Sequence, residues 1–140
     1  RYDQSGRSPT GAIVRSYAKY AKTVVEVGDG PRAFERVIGQ PLEFVPLADP
    51  SDVSATSRLN VRLLFQGAPL AGAKVHAGRA KGAGKAAADI TLTTTADGIV
   101  AIPVAASGLW NVRTIHVVPA PSGADADWEV HWATFVFTAR

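Results

Sequence analysis

Apolar and polar residues alternate along the second half of the chain with the period of a β-strand. Leu59, Val61, Leu63 and Phe65 are separated by single residues, so an extended backbone would place all four side chains on one face of a sheet. The same period of two recurs at 73–77, 90–93, 100–104, 109–118 and 128–138. The pattern predicts a strand in each of these segments.

Glycine and proline divide these strands at short intervals. Asp97-Gly98 supplies the positive φ values that a tight hairpin needs, so we expect 90–93 and 100–104 to pair with each other. No helical pattern interrupts the strands after Leu59, which argues against parallel βαβ units. The sequence therefore predicts an all-β fold, an antiparallel sandwich or barrel of about seven or eight strands. Its predicted core comprises Val61, Leu63, Phe65, Val75, Leu92, Val100, Ile102, Trp110, Val112, Phe135 and Phe137.

The amino-terminal part of the chain is less regular. Residues 1–11 are polar and resemble a linker, whereas 12–20 allow either an extended or a helical conformation, because Ile13, Tyr17, Tyr20 and Val24 have helical spacing. The β-branched residues of 21–27 favour a strand, and the three prolines of 39–50 favour an edge strand. We divide the chain into 1–38, which holds the linker and first strand, and a sandwich domain at 39–140.

Composition excludes several classes of function. The chain has no cysteine, hence no disulfide and no thiolate metal site, and it has no methionine, so we expect it to be a processed or excised piece. No apolar run approaches the about 18 residues of a membrane helix, so we expect no direct membrane insertion. The net charge is +3, and the predicted flexible loop 78–88 has basic residues but no aromatic residue for stacking bases. We therefore expect no nucleic-acid partner.

Candidate chemistry is sparse. His76, His116 and His131 have no HxH or HxxxH spacing, and His116 shares a strand face with Trp110. The alternating run Asp125, Asp127 and Glu129 offers oxygens for a hard cation, although such residues also form ordinary turns. Trp110, Trp128 and Trp132 are candidates for a sugar-stacking surface or for the core. No GxSxG elbow and no carboxylate pair is recognisable, so we predict that the chain is not an enzyme.

Several segments resemble one bacterial family. They are 16–22 (SYAKYAK), 39–47 (GQPLEFVPL), 61–75 (VRLLFQGAPLAGAKV), 95–98 (TADG), 108–110 (GLW), His116 and 124–137 (ADADWEVHWATFVF). Together they resemble the carboxy-terminal half of the domain-of-unknown-function family labelled "nickel uptake substrate-specific transmembrane region". Residues 67–75 followed by 95–98 also resemble the transthyretin-like, carboxypeptidase-regulatory type of sandwich. With this resemblance, the fold prediction becomes an all-β, antiparallel Ig-like or transthyretin-like β-sandwich of about seven strands.

The resemblance implies an exported, periplasmic or secreted protein with an amino-terminal domain that this chain lacks. It implies an association with nickel or cobalt uptake, with that missing domain and a membrane transporter component as partners. His116 is the residue carried over as a ligand for Ni, Co or Cu in the intact protein, and the fragment itself requires no cofactor. Asp127, from the acidic run, is a second candidate metal ligand. His131 departs from the family pattern, which has an aromatic residue there.

Two alternatives remain open. The chain is either this non-catalytic accessory domain or a structural, adhesion-type module that binds a protein or glycan without metal, which an exposed Trp cluster would favour. An enzyme would need a deep pocket that contains His116 and Asp127 together.

Overall fold

The computed structural model describes residues 12–28, 32–81, 85–86 and 89–140, which form ten strands and one short 3-10 turn. Eight of the strands have four residues or more. The strands are β1 (Arg15–Thr23), β2 (Leu42–Pro46), β3 (Arg58–Phe65), β4 (Ala68–Pro69), β5 (Lys74–Lys81), β6 (Lys85–Ala86), β7 (Ile90–Thr93), β8 (Ile99–Pro103), β9 (Gly108–Pro119) and β10 (Trp128–Ala139), and the turn is Pro50–Asp52. The predicted linker 1–11 lies outside the described residues.

The strands form two sheets, which confirms the predicted all-β sandwich. The larger sheet has the order β1-β10-β9-β5, with β6 and β7 both paired to β5. In the smaller sheet, β3 pairs with β2, β4 and β8. Neighbouring strands are antiparallel except for β1 and β10, which are parallel. Within the described residues, no helix has the length and apolar character to cross a membrane.

The core lies where the alternating apolar faces of the two sheets meet. Nine of the eleven predicted core residues are buried, among them Val61 and Phe135, which have no exposed surface. Phe65 and Leu92 are half-buried against the same cluster. Burying an aliphatic or aromatic side chain contributes about 1.5–3 kcal/mol, so these inward positions supply most of the driving force for the fold.

The first strand differs from its prediction. The structure places β1 at Arg15–Thr23, so the undecided segment 12–20 is extended and the predicted strand 21–27 continues only to Thr23. Because parallel pairing matches Tyr20 with Ala133 and Lys22 with Phe135, alternate residues of β1 point inward. The helical spacing of the apolar residues was misleading, since Tyr17 is exposed on the other face.

The predicted hairpin at Asp97-Gly98 is wrong. β7 pairs with β5 in the larger sheet, whereas β8 pairs with β3 in the smaller sheet. The turn therefore carries the chain from one sheet to the other. Gly98 has φ +70°, and a Cβ there would lie 2.7 Å from the carbonyl oxygen of Leu63, so the turn is packed directly on the backbone of β3.

The start of the predicted loop 78–88 belongs to a strand. β5 continues through Gly78 and Arg79, both paired with β9, and ends at Lys81. Gly78 and Arg79 therefore belong to a strand and not to the predicted flexible loop. Residues 82–84 and 87–88 lie outside the described residues. The prediction failed because the alternation of 73–77 ends at Gly78, whose missing side chain gives no apolar signal although its backbone pairs with Asn111 in a buried part of the strand.

Candidate functional site

Two histidines face each other across the longest strand pair. His116 on β9 is paired with His131 on β10 in the antiparallel register, and both side chains point between the sheets. Directly opposed residues in antiparallel strands have Cβ atoms about 4.5–5.5 Å apart. His131 is 7% exposed and His116 is half-buried. We call these two residues the histidine pair.

Phe65, from the opposite sheet, packs against both rings of the histidine pair. Its ring centroid lies 4.6 Å from that of His116 and 5.2 Å from that of His131, with interplanar angles of 69° and 68°. Edge-to-face contacts of this kind fix ring orientation. Phe65 therefore covers both rings of the histidine pair from the smaller sheet.

The two ring nitrogens of His131 have different surroundings. Nδ1 lies 3.1 Å from the hydroxyl oxygen of Tyr20, whose ring is stacked on the imidazole. Nε2 is buried and has no hydrogen-bond partner among the described residues, although Oε2 of Glu129 lies 3.4 Å away. The two atoms are close enough for an ionic contact, but their geometry is not that of a hydrogen bond. A buried polar atom without a partner is uncommon and requires an explanation.

Burial determines the charge of the neighbouring groups. Burial lowers the pKa of His116, and the positive charge that His131 can carry lowers it further. His116 is therefore neutral at pH 7, the form in which an imidazole can bind a metal. Burial raises the pKa of Tyr20, as does the negative charge of Glu129, so the Tyr20 hydroxyl keeps its proton.

A buried ion pair borders the same region. Lys22 Nζ on β1 lies 2.6 Å from Oε1 of Glu43 on β2, and it also donates to the carbonyl of Arg36. The Glu43 carboxylate accepts hydrogen bonds from the backbone N–H groups of Ile38, Gly39 and Gln40. The carboxylate therefore fixes the backbone of residues 38–40, and the Lys22 ammonium fixes the carbonyl of Arg36.

A cleft of about 500 Å³ opens between residues 37–41 and His131. It is lined by apolar residues, by backbone and by polar side chains: Val37, Gly39, Gln40, Pro41, Glu43, Leu64, Gln66, Gly67, Glu129 and His131. Its size is in the range of about 300–1,000 Å³ that is usual for small-molecule sites.

Asp127 does not join the histidine pair. Its Oδ2 accepts a hydrogen bond of 2.8 Å from the backbone N–H of Val14, and its own N–H donates to the Val14 carbonyl. Asp127 therefore attaches the start of β1 to the start of β10, and its carboxylate is engaged by the Val14 N–H. In the described part of the chain, no group of three or more His, Asp or Glu residues is arranged to hold a metal ion.

The remaining candidates are separated. Trp110 is buried and donates its indole N–H to the Ala106 carbonyl, whereas Trp132 is on the opposite face of the larger sheet with Lys19 over its ring. Trp110 is therefore separated from the other two tryptophans, whereas Trp128 and Trp132 lie four residues apart on β10 and share its outer face. His76 lies on the outer face beside the Thr91 hydroxyl.

Sequence comparison assigns a family but no activity. The protein-family profile described as "Domain of unknown function (DUF4198)" matches residues 4–118. No curated protein and no solved structure matches the chain. The match begins before the resemblance seen at Ser16 and ends before β10. The predicted resemblance is thus confirmed for an uncharacterised domain family, while the nickel-uptake association and the type of sandwich stay predictions.

Proposed function

The chain belongs to this uncharacterised family, DUF4198, and we propose that it is a non-catalytic binding domain for a late first-row divalent metal ion. We place the metal at the histidine pair, with Ni²⁺, Co²⁺ and Cu²⁺ as the candidate ions. Imidazole nitrogens suit these ions, and the affinity of such sites rises along the series from Co²⁺ to Cu²⁺.

The observation that supports the proposal best is the buried, unpartnered Nε2 of His131. Metal-binding histidines commonly donate the other ring N–H to a hydrogen-bond acceptor, which fixes the tautomer. Tyr20 is in position to accept from Nδ1 at 3.1 Å, which leaves the lone pair on Nε2. His116, neutral and directly opposite, would supply the second imidazole.

The residues of this proposed metal site therefore differ from those predicted from the sequence. His116 stays in the proposed site, His131 joins it, and Asp127 is left out because its carboxylate holds Val14. Glu129, which extends from β10 beside His131, would balance part of the charge of a bound cation. When bound, the metal would supply a cationic centre, and nothing in the proposal requires the domain to catalyse a reaction.

The cellular setting follows from the sequence resemblance. We propose an exported, periplasmic domain associated with nickel or cobalt uptake, which acts together with an amino-terminal domain and a membrane transporter component. Fractionation of the producing bacterium should place the protein in the periplasm. Recovery in the cytoplasm would contradict this setting without bearing on the metal site.

Isothermal titration of the chain with Ni²⁺, Co²⁺ and Cu²⁺ tests the metal site. His116→Ala and His131→Ala should each weaken binding at least about tenfold, which corresponds to about 1.4 kcal/mol. His76→Ala is the matched control, because His76 is a histidine of the same larger sheet on its outer face. No heat with any of the three ions, or an equal loss in the control variant, would exclude the site.

A second function, binding of a protein partner without metal, has its own supporting observation. The outer face of the larger sheet carries a group of exposed apolar side chains, namely Tyr17, Ile115, Val117 and Trp132. Exposed apolar groups of this kind often mark interaction sites. A photo-crosslinking residue at Val117 should then give one defined product in the producing cells, and the same residue at exposed Val25 should not.

A further inference from the structure

The cleft beside His131 raises the question of whether the metal ion binds as a hydrated ion or as a complex with a small molecule. We propose that the histidine pair binds its metal ion as a complex with a small organic chelator that occupies the cleft, and not as the hydrated ion. This inference rests on the proposed metal-binding function and names its substrate class. The step is an exchange of ligands, in which two imidazole nitrogens replace waters on a chelated ion.

The number of protein donors is the first argument. The histidine pair supplies two nitrogens, and the described residues offer no group of three or more His, Asp or Glu residues able to hold an ion. Divalent ions of this series take about four to six ligands in square-planar to octahedral geometry. Two or more positions on the ion are therefore left for donors that do not come from these residues.

The cleft provides space for the molecule that supplies these remaining metal ligands. It is lined by His131, whose buried Nε2 has no hydrogen-bond partner among the described residues, and its volume of about 500 Å³ exceeds what a few waters need. Its lining contains the apolar side chains of Val37 and Leu64, the carboxylate of Glu129 and the amide of Gln66. Sites for small ligands combine apolar walls with a few placed polar groups in this way. A chelator with amine and carboxylate groups matches this lining.

The effect of added chelator on affinity distinguishes the two forms of the metal. If the protein binds only the bare ion, a chelator competes for that ion and weakens apparent binding. If the protein binds the chelated ion, one equivalent of chelator strengthens binding, because the ternary complex gains the contacts of the cleft. The chelator therefore lowers the apparent affinity in the first case and raises it in the second.

The experiment compares NiCl2 alone with NiCl2 premixed with one equivalent of L-histidine, by isothermal titration into the full chain. We expect apparent binding at least tenfold tighter with L-histidine. Weaker binding with L-histidine, together with binding of NiCl2 alone, would overturn this inference and leave the proposed function standing. No binding of either form would overturn both.

A variant that fills the cleft provides the structural control. Val37 lines the cleft and is 51% exposed, so Val37→Trp should reduce the L-histidine effect without unfolding the protein. Val117→Trp, on the outer face, should leave that effect unchanged. Gln66→Ala offers a second, smaller change in the cleft. Equal L-histidine effects in all three variants and the parent chain would also overturn the inference.

Discussion

Lys22 and Glu43 form a buried ion pair between β1 and β2, with a distance of 2.6 Å and side chains that are 7% and 1% exposed. The pair joins the edge strand of the larger sheet to the smaller sheet and, through Glu43, to the backbone of residues 38–40. A pair with this many hydrogen bonds satisfies the charges that burial would otherwise leave unpaired. It stands next to the cleft, so its loss would affect both stability and the site.

The two partners of this pair should differ in their effect on stability. Glu43→Leu leaves the Lys22 ammonium and three backbone N–H groups without their acceptor, so we expect a loss of about 3–5 kcal/mol. Lys22→Met should cost less, because the carboxylate keeps its backbone donors. Urea denaturation measures both values.

The exposed pair Arg113–Asp89 is the control for this comparison. Asp89→Asn should change the free energy of unfolding by less than about 1 kcal/mol, as is usual for exposed pairs. A loss with Asp89→Asn as large as that with Glu43→Leu would show that burial is not what makes the Lys22–Glu43 pair important.

Acid should destabilise the protein through Glu43. Burial alone would raise the pKa of Glu43, but hydrogen bonds from Lys22 and from the backbone outweigh it and lower this pKa below its ordinary value. A lowered folded-state pKa means that the contribution to stability is complete above the unfolded value of about 4.3 and is lost as the pH falls through the folded value. The free energy of unfolding, measured from pH 6 to pH 2, should fall less steeply below about pH 4.3 in Glu43→Gln than in the parent chain. Equal slopes would contradict the assignment.

The turn between β7 and β8 should tolerate no side chain at Gly98. Gly98 and Gly123 both have positive φ, so alanine at either position costs about 1–2 kcal/mol in backbone conformation. At Gly98 the new Cβ would also lie 2.7 Å from the Leu63 oxygen, whereas nothing lies within 4 Å at Gly123. Gly98→Ala should therefore cost about 1–3 kcal/mol more than Gly123→Ala in thermal or urea unfolding. Equal losses would show that the backbone of β3 yields at this point.

The fold could be predicted where the signal was local. Alternation located β3, β9 and β10 to within a residue or two, because one face of each is buried and the side-chain period is two. The sheet that each strand joins is a long-range property. The turn at Gly98 has the residues of a hairpin, but it connects the two sheets. Val75 pairs with Leu92 in the larger sheet, and Val61 pairs with Val100 in the smaller sheet.

The site could be predicted only in part. Resemblance indicated His116, and a hairpin centred near Gly123 would have paired His116 with His131 had the register been worked out. Tyr20 reaches His131 through a parallel pairing across 111 positions of sequence, and no local pattern encodes such a contact. Glu43 lay within the family-like segment 39–47, but its burial depends on Lys22 from another strand.

Tyr20 is expected to act on metal binding only through His131. Tyr20→Phe keeps the stacked ring but removes the acceptor 3.1 Å from Nδ1, so the proton of His131 is free to move to Nε2 and occupy the lone pair needed by a metal. Loss of an outer partner of this kind typically reduces metal affinity about 10–100-fold. Titration with Ni²⁺ measures that change, and ¹⁵N chemical shifts of the imidazole measure the tautomer. Tyr17→Phe, on the outer face of the same strand, is the control. An affinity loss in Tyr20→Phe without any change in the His131 tautomer would contradict the positioning role and indicate a purely structural one.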